Sequence, residues 1–349
     1  MNEVTMTAER LSDLISRFGN ARIAVLGDYF LDKYLDVDPG LGEPSVETGK
    51  TAHQVVNVRC SPGAAGTVVC NLHALGAGHL HAIGFSGDDG EGFDLRKQLT
   101  NLKCDTQHLH IASERFTPTY LKPRDANMAG LDAEHSRLDT KNRSRTPNAV
   151  EQQIINSVDA LIENVDALVV LDQVDLENTG VVTQTVRETL SQRARSNSDV
   201  VFWADSRRRI EQFPRLTIKA NQFEVVGIEY PKPEDEVATD ELLDAARALR
   251  EKNDAPIVLT QGHRGMIVSD PDWTAVPGVH IEGPIDPTGA GDSVTAGAVL
   301  ALCAGATLAE AALIGNLVAS ITIQQVNTTG TATPNQLVDR LNTWKAQRS

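Results

Sequence analysis

The feature that most constrains this chain is a repeated alternation: short apolar runs of strand length, each followed by a stretch with helical spacing. "RIAVLGD" (22–28) reads as a buried strand and "GTVVCNLHAL" (66–75) as a helix that Gly76 ends. "HLHAIGF" (79–85) and "GFDLRKQLTNL" (92–102) repeat the pair. "DALVVLD" (166–172), a helix over 178–194 and "DVVFWAD" (199–205) repeat it again. Strands separated by helices pair in parallel, and continuous apolar runs need cover on both faces. The pattern therefore predicts an α/β protein with a mostly parallel sheet between helical layers, mainly helical after residue 289.

Two stretches break the rhythm. Residues 34–60 and 115–140, the second containing "TPTYLKPR" and "HSRLDTK", read as short strands with polar turns and no helices between them. They predict a small separate sheet, placed as a lid over the main one. "TKNRSRTPN" (140–148) reads as a surface linker into the next helix. The N-terminal segment has Leu11, Leu14, Ile15 and Phe18 at helical spacing, acidic residues and no basic start, so it reads as an amphipathic helix rather than a signal peptide.

Composition narrows the function classes. The chain has 349 residues, 41% of them hydrophobic, enough for one large domain with an accessory element. A net charge of −15 with no concentrated basic stretch argues against nucleic acid and anionic membrane as partners. No run approaches the roughly 18 apolar residues of a membrane span. Cys60, Cys70, Cys104 and Cys303 show no CxxC spacing, which fits a reduced, cytoplasmic protein. His79/His81 and His108/His110 each share a strand face, but no carboxylate or cysteine accompanies them, so they read as ordinary strand residues and not as zinc ligands.

Two segments invite a phosphate. "GEPSVETGKT" (42–51) ends like a Walker A loop, yet six residues separate Gly42 from Gly49 where that loop needs four, and no strand-to-helix context surrounds it. It is set aside. "IDPTGAGDSVTAGAVLAL" (285–302) is different: Gly289, Ala290 and Gly291 leave successive amides unobstructed where a helix begins, which makes an anion site. Asp292 in the first turn repels an anion unless it takes a proton from an attacking hydroxyl. Read alone, the same residues are equally a tight turn with an acid that complements the helix dipole.

With Asp286 and Thr288, that stretch resembles the DTGAGD signature of the ribokinase-like, or PfkB, carbohydrate kinases. The resemblance runs through "VLGDYFLDKY" (25–34), "PGAAGTVVCNLHALGA" (62–77), "IGFSGDDGEG" (83–92), "ANQFEVVG" (220–227), "LTQGHRGM" (259–266) and "GNLVASITI" (315–323). It implies a three-layer α/β/α sandwich with a β lid, one kinase domain over 1–349, ATP and Mg²⁺ as cofactors, and a homodimer paired through lids. It leaves a monovalent cation open. By resemblance Asp292 is the base, and the amides of Gly289, Ala290 and Gly291 hold the charge on the transferring phosphoryl. Asn221 and Glu224 match a motif that organises Mg²⁺, with Glu224 acting through water, although an Asn capping a helix with an acid three residues on is also a common helix start. Thr260, Gly262, Gly265 and Asn316 fall where the family holds the nucleotide. Asp28, Asp32, Gly63, Ala64, Thr67 and Lys122 fall on the acceptor side.

Within the family the chain is most similar to kinases acting at C1 of D-glycero-D-manno-heptose 7-phosphate, with the expectation that no nucleotidyltransferase domain follows. It departs from their pattern at three places. Ala64 replaces the second hinge glycine, Thr67 replaces an asparagine, and "DQVDLENTG" (172–180) lacks the lysine of an Asp-Tyr-x-Lys-Gly stretch. Lys122, Arg124 and Arg207 to Arg209 are the candidate cations for an acceptor phosphate. A nucleoside or ketose phosphate kinase and a non-catalytic sugar or nucleotide sensor are the competing readings.

Overall fold

The alternation becomes an eleven-stranded sheet in the computed structural model, which describes residues 1–128, 133–232, 235–326 and 330–348. From edge to edge its path runs Asn2–Glu3, Thr274–Pro277, Gly265–Val268, Ile257–Thr260, Thr217–Asn221, Val201–Ser206, Ala167–Asp172, Arg22–Gly27, His79–Ser86 and Cys104–Asp105. Leu109–Ile111 also pairs with His79–Ser86. Among the described residues of this sheet, only Gly265–Val268 runs antiparallel to its neighbours; the other pairings are parallel.

Side-chain alternation divides the core in two. Ile23, Val25, Val169, Leu171 and Trp203 pack with the helices Ala8–Arg17, Ala65–Ala74, Ala290–Cys303, Leu308–Thr322 and Pro334–Ala346. Ala24, Leu26, Leu168, Val170, Phe202 and Ala204 face the other way, toward Asn148–Leu161, Gln184–Ser196 and Thr239–Asn253. The three layers follow from period-two strands whose two faces are both apolar.

The lid is a four-stranded sheet in the order Thr51–Ala64, Tyr29–Pro44, Thr119–Asp125, Leu138–Thr140. Its hairpin begins before and ends after the expected 34–60, and residues 129–132 of the expected 115–140 lie outside the described residues. Tyr29 opens the lid two residues after Gly27 closes a core strand, so lid and core are joined at the site itself. Gly49, Lys50 and Thr51 sit at the hairpin's exposed tip, where Gly49 N–H bonds Ser45 O at 2.8 Å and no helix follows.

The helix expected over 178–194 begins only at Gln184, capped by Thr183. Residues 173–181 are instead held as a loop by buried charges. Asp28 accepts from the amides of Gln173 at 2.9 Å, Val174 at 3.2 Å and Val181 at 2.7 Å. Arg209, paired with Asp172 at 2.7 Å, donates to Asp175 O at 2.9 Å and also to Val174 O. Charge-assisted bonds of this kind contribute about 1.5–3 kcal/mol each, enough to outweigh helix propensity over a short segment.

Candidate active site

The site forms where the carboxyl ends of the central strands meet the N-terminus of Ala290–Cys303, the usual place for a ligand in an open α/β sheet. Two helices set its floor. Gly297 packs against Gly315: a Cβ on Gly297 would lie 2.8 Å from Val318 and 3.0 Å from the Gly315 Cα, so only glycine allows this approach. Thr322 donates to the Ser293 hydroxyl at 2.9 Å, and Asn71, which also donates to Thr67 O at 3.1 Å, lies 3.5 Å from it. The residue following Asp292 is thus tied to the helix that carries Thr67.

Gly289 caps the helix with φ +77, a left-handed conformation that suits glycine. Of the three expected amides, Ala290 N–H turns back to Pro287 O at 3.1 Å. A tight turn into the helix claims it, leaving the amides of Gly289 and Gly291 without a partner among the described residues. A Cβ on Gly291 would come within 3.0 Å of Lys219 Nζ, so the buried ammonium lies directly beneath this loop.

That ammonium belongs to a charge cluster. Asp205 and Lys219 are partners across two parallel strands, with Nζ 2.9 Å from Oδ2 and both side chains buried. Asp292 and Glu224 share their field. Burial, with the Asp205 charge, pushes the Asp292 carboxyl up to about 7, against the pull of Lys219 and Arg207. Burial likewise raises Glu224 to about 7 in spite of Lys219. The Lys219 ammonium is held above its ordinary value: burial works against its charge, but Asp205, Glu224 and Asp292 outweigh it.

Asn221 and Glu224 form the helix start that their spacing suggests. Asn221 Oδ1 accepts from the amides of Phe223 and Glu224 at 2.9 and 3.0 Å, and Glu224 Oε2 accepts from Asn221 N–H at 2.8 Å. Glu224 Oε1 stays unbonded among the described residues, beside the cluster. Gly262 and Gly265, both with positive φ, make the turn of the hairpin Ile257–Thr260 and Gly265–Val268. Thr260 Oγ1 lies 3.4 Å from Ala220 O, and Asn316 donates to Pro277 O at 2.8 Å, fastening a helix to the strand Thr274–Pro277.

The acceptor side is a cavity of about 630 Å³ between lid and floor, where Asp32, Ala64, Thr67, Lys122, Gly289 and Asp292 come together. Asp32 Oδ1 is buried 2.9 Å from the Lys122 ammonium, a charge-assisted contact that leaves the carboxylate further lone pairs toward the cavity. It is the acceptor a sugar hydroxyl can fill. Gly63 lies against the same carboxylate: a Cβ there would stand 2.7 Å from Asp32 Oδ2. Ala64, the departure from the hinge glycine, adopts φ +52 and so carries strain that glycine avoids. Asp28 lies outside this cavity, with both carboxylate oxygens occupied by loop amides.

The candidate cations separate clearly. Lys122, Arg124 and Arg207 line the cavity. Arg208 pairs with Asp175 and Glu229, and Arg209 is buried on Asp172, so neither faces an acceptor. His135 and Arg137, which sequence reasoning missed, also line the wall, Arg137 stacked 4.1 Å over the Tyr120 ring. Among the described residues no group of three or more His, Cys, Asp or Glu is set to hold a metal ion; of the histidine pairs, His108 lies in a turn before its strand, and His81 has the Asp105 carboxylate 3.3 Å away. No helix of the described residues is long and apolar enough to cross a membrane.

Comparisons with known proteins bear on the fold and the family. The bifunctional protein HldE of a Nitratiruptor species is 30% identical over 313 residues, covering 87% of this chain and 62% of the relative. HldE of Desulfatibacillum aliphaticivorans is 27% identical over 328 residues, covering 92% and 63%. The chain thus spans less than two thirds of these relatives. Phosphofructokinase-2 from Escherichia coli, solved in complex with substrates and products, superposes with a TM-score of 0.68 at 16% identity, covering 94% of this chain and 100% of that one. Arabidopsis thaliana ribokinase, complexed with ribose and ATP, gives 0.62 at 12%, covering 94% and 99%. These likenesses establish the ribokinase fold. Residues 25–335 match the model for pfkB family carbohydrate kinases, and the chain belongs to that family.

Proposed function

We propose that the protein transfers the γ-phosphoryl of ATP to a hydroxyl of a phosphorylated sugar, with heptose 7-phosphate, acted on at C1, as the first acceptor to try. The observation that carries this reading is Asp292, a carboxyl raised to about 7 at the mouth of two unbonded amides and on the wall of the acceptor cavity. A base works best when its pKa lies near the operating pH, and the free amides of Gly289 and Gly291 meet charge as it develops on the phosphoryl oxygens. A binding module gains from the amides but has no use for a base tuned in this way.

The cavity wall supports a phosphorylated acceptor. Lys122, Arg124 and Arg137 from the lid and Arg207 from the core are the wall groups that can meet an acceptor phosphate, facing four acids in the same lining. Asp32 supplies the oriented acceptor for a sugar hydroxyl, and closure of the lid over it excludes the water that otherwise competes for the phosphoryl. Mg²⁺ suits the donor set: the triphosphate brings most of its ligands, and Glu224 Oε1 is an available oxygen near the amides. When bound it neutralises triphosphate charge. The solvent side of the lid carries exposed Val56, Val58 and Leu138, which supports pairing of two copies through their lids, as expected for a homodimer in the cytoplasm.

The test is ADP release with Mg-ATP across heptose 7-phosphate, hexose and ketose phosphates, free sugars and nucleosides. Turnover that depends on a sugar phosphate and disappears in Asp292→Asn is the expected result. Turnover with nucleosides alone would replace the acceptor, and nucleotide binding without turnover on any acceptor would overturn the kinase reading.

A further inference from the structure

A second cavity, of about 250 Å³, lies beside the acceptor cavity and shares Phe30, Tyr120 and Gln173 with it. Its interior is apolar. Phe85, Pro118, Val174 and Val181 complete the walls with the two lid aromatics, whose rings meet edge to face at 5.1 Å.

This space is framed, not left over from loose packing. One side is the loop 173–181, pinned at both ends by the buried Asp28 carboxylate and near its start by Arg209. Arg115 holds Thr179 O, and Thr146 donates to Gly180 O at 2.7 Å. An empty apolar void forfeits dispersion contacts, so a free loop closes over it. A loop tied to buried charges cannot follow.

Of the charged groups lining the cavity, two acids and two cations, the cations are the less committed. The Asp28 oxygens are filled by amides, and Asp175 pairs with Arg208 at 3.4 Å. Arg143 has no ion pair or hydrogen-bond partner among the described residues, and Lys141 reaches only Asp139, at 3.6 Å, and the face of Tyr120. Leu176, half exposed on the lining, offers apolar surface with nothing over it.

We propose that this cavity is a second small-molecule site, distinct from the nucleotide and acceptor positions, for a compact planar group bearing an anionic substituent. The ring lies among Phe30, Phe85 and Val181, and the anion meets Arg143 and Lys141. The size admits one ring, and charge-assisted contact at the opening fixes its orientation.

The experiment uses phenyl phosphate as the probe and the full-length protein saturated with Mg-ADP, so that the nucleotide position is closed. Calorimetric titration is run on the wild type, Arg143→Glu, Leu176→Trp and Arg207→Ala. Each substitution is at an exposed side chain, and circular dichroism checks the fold. Saturable binding is expected in the wild type and in Arg207→Ala, about tenfold weaker binding in Arg143→Glu, and none in Leu176→Trp, whose indole fills the space. No saturable binding overturns the proposal. So does binding that Arg207→Ala abolishes while Leu176→Trp leaves it intact, because that places the probe in the acceptor cavity. Binding is read without turnover, so the result stands apart from the kinase reading.

Discussion

Replacing Asp205 by asparagine tests the electrostatics of the site more sharply than removing the base. Asp205 is the largest charge raising Asp292, after burial itself, and it also holds Lys219 at 2.9 Å. Its neutral isostere removes the repulsion and frees the ammonium to lean toward Asp292, so both effects lower the Asp292 pKa from about 7. A fall of about one unit, equivalent to about 1.4 kcal/mol, raises the ionised fraction at pH 6 from about one tenth to about one half. The variant is therefore about fivefold better than its own pH 8 value would imply from the wild-type profile at pH 6, and it gains almost nothing above pH 8. The assay is kcat/KM for the acceptor from pH 5 to 9, whose acid limb reports the base in the free enzyme. The limb's position, not the height of the plateau, is the quantity to read. Leaving Lys219 without its carboxylate costs stability: outright loss of a buried partner costs about 3–5 kcal/mol, and asparagine keeps one hydrogen-bond acceptor, so about 2 kcal/mol is expected in urea unfolding. An acid limb that stays in place, or moves to higher pH, refutes the reasoning.

The other predictions concern separate parts of the site. Asp292→Asn should lose about 10²–10⁴ in kcat while nucleotide affinity, measured by titration, is kept, since no amide is altered. The same variant should be more stable than the wild type at pH 8 but not at pH 4. The folded-state pKa is raised from 3.8 to about 7, so ionising the carboxylate costs stability progressively across that window, and the Asn variant escapes this. Asp28→Asn leaves at least one of three amides unmatched, and a loss of about 2–3 kcal/mol in urea unfolding is expected, with the acid limb of kcat/KM unmoved. Lys122→Met should raise the acceptor KM by about tenfold for a phosphorylated sugar and much less for its unphosphorylated counterpart; an equal effect on both would assign Lys122 to holding Asp32 alone.

The layers and the helix start at Asp292 were legible because each depends on local pattern. Continuous apolar runs forced covered parallel strands, and the small residues around Asp292 marked a helix start with open amides. The pair Asp205 and Lys219 left no such mark. Lys219 in "TIKAN" looks like any strand lysine, and only the register of two parallel strands sets it opposite Asp205. The arginine run shows the same limit from the other side. Arg207, Arg208 and Arg209 are alike in sequence, yet one faces the acceptor cavity, one reaches exposed acids and one is buried on Asp172. Asp28 looked like a sugar ligand because it stands at a strand end beside Asp32. What fixes its role is the loop 173–181, far away in sequence, whose amides occupy it completely.

The cluster beneath the anion site also bears on why four cations line a cavity in a chain of net charge −15. Asp205, Glu224 and Asp292 already place three carboxylates within one field, with Lys219 buried among them. A bound triphosphate adds more negative charge, which pushes Asp292 further up and takes it out of its working range unless cations arrive with it. Arg207 acts on both Asp292 and Glu224 from the cavity wall, and Lys122 and Arg124 enter from the lid. On the proposed kinase reading, these wall cations would hold an anionic acceptor and keep the base ionisable near neutral pH.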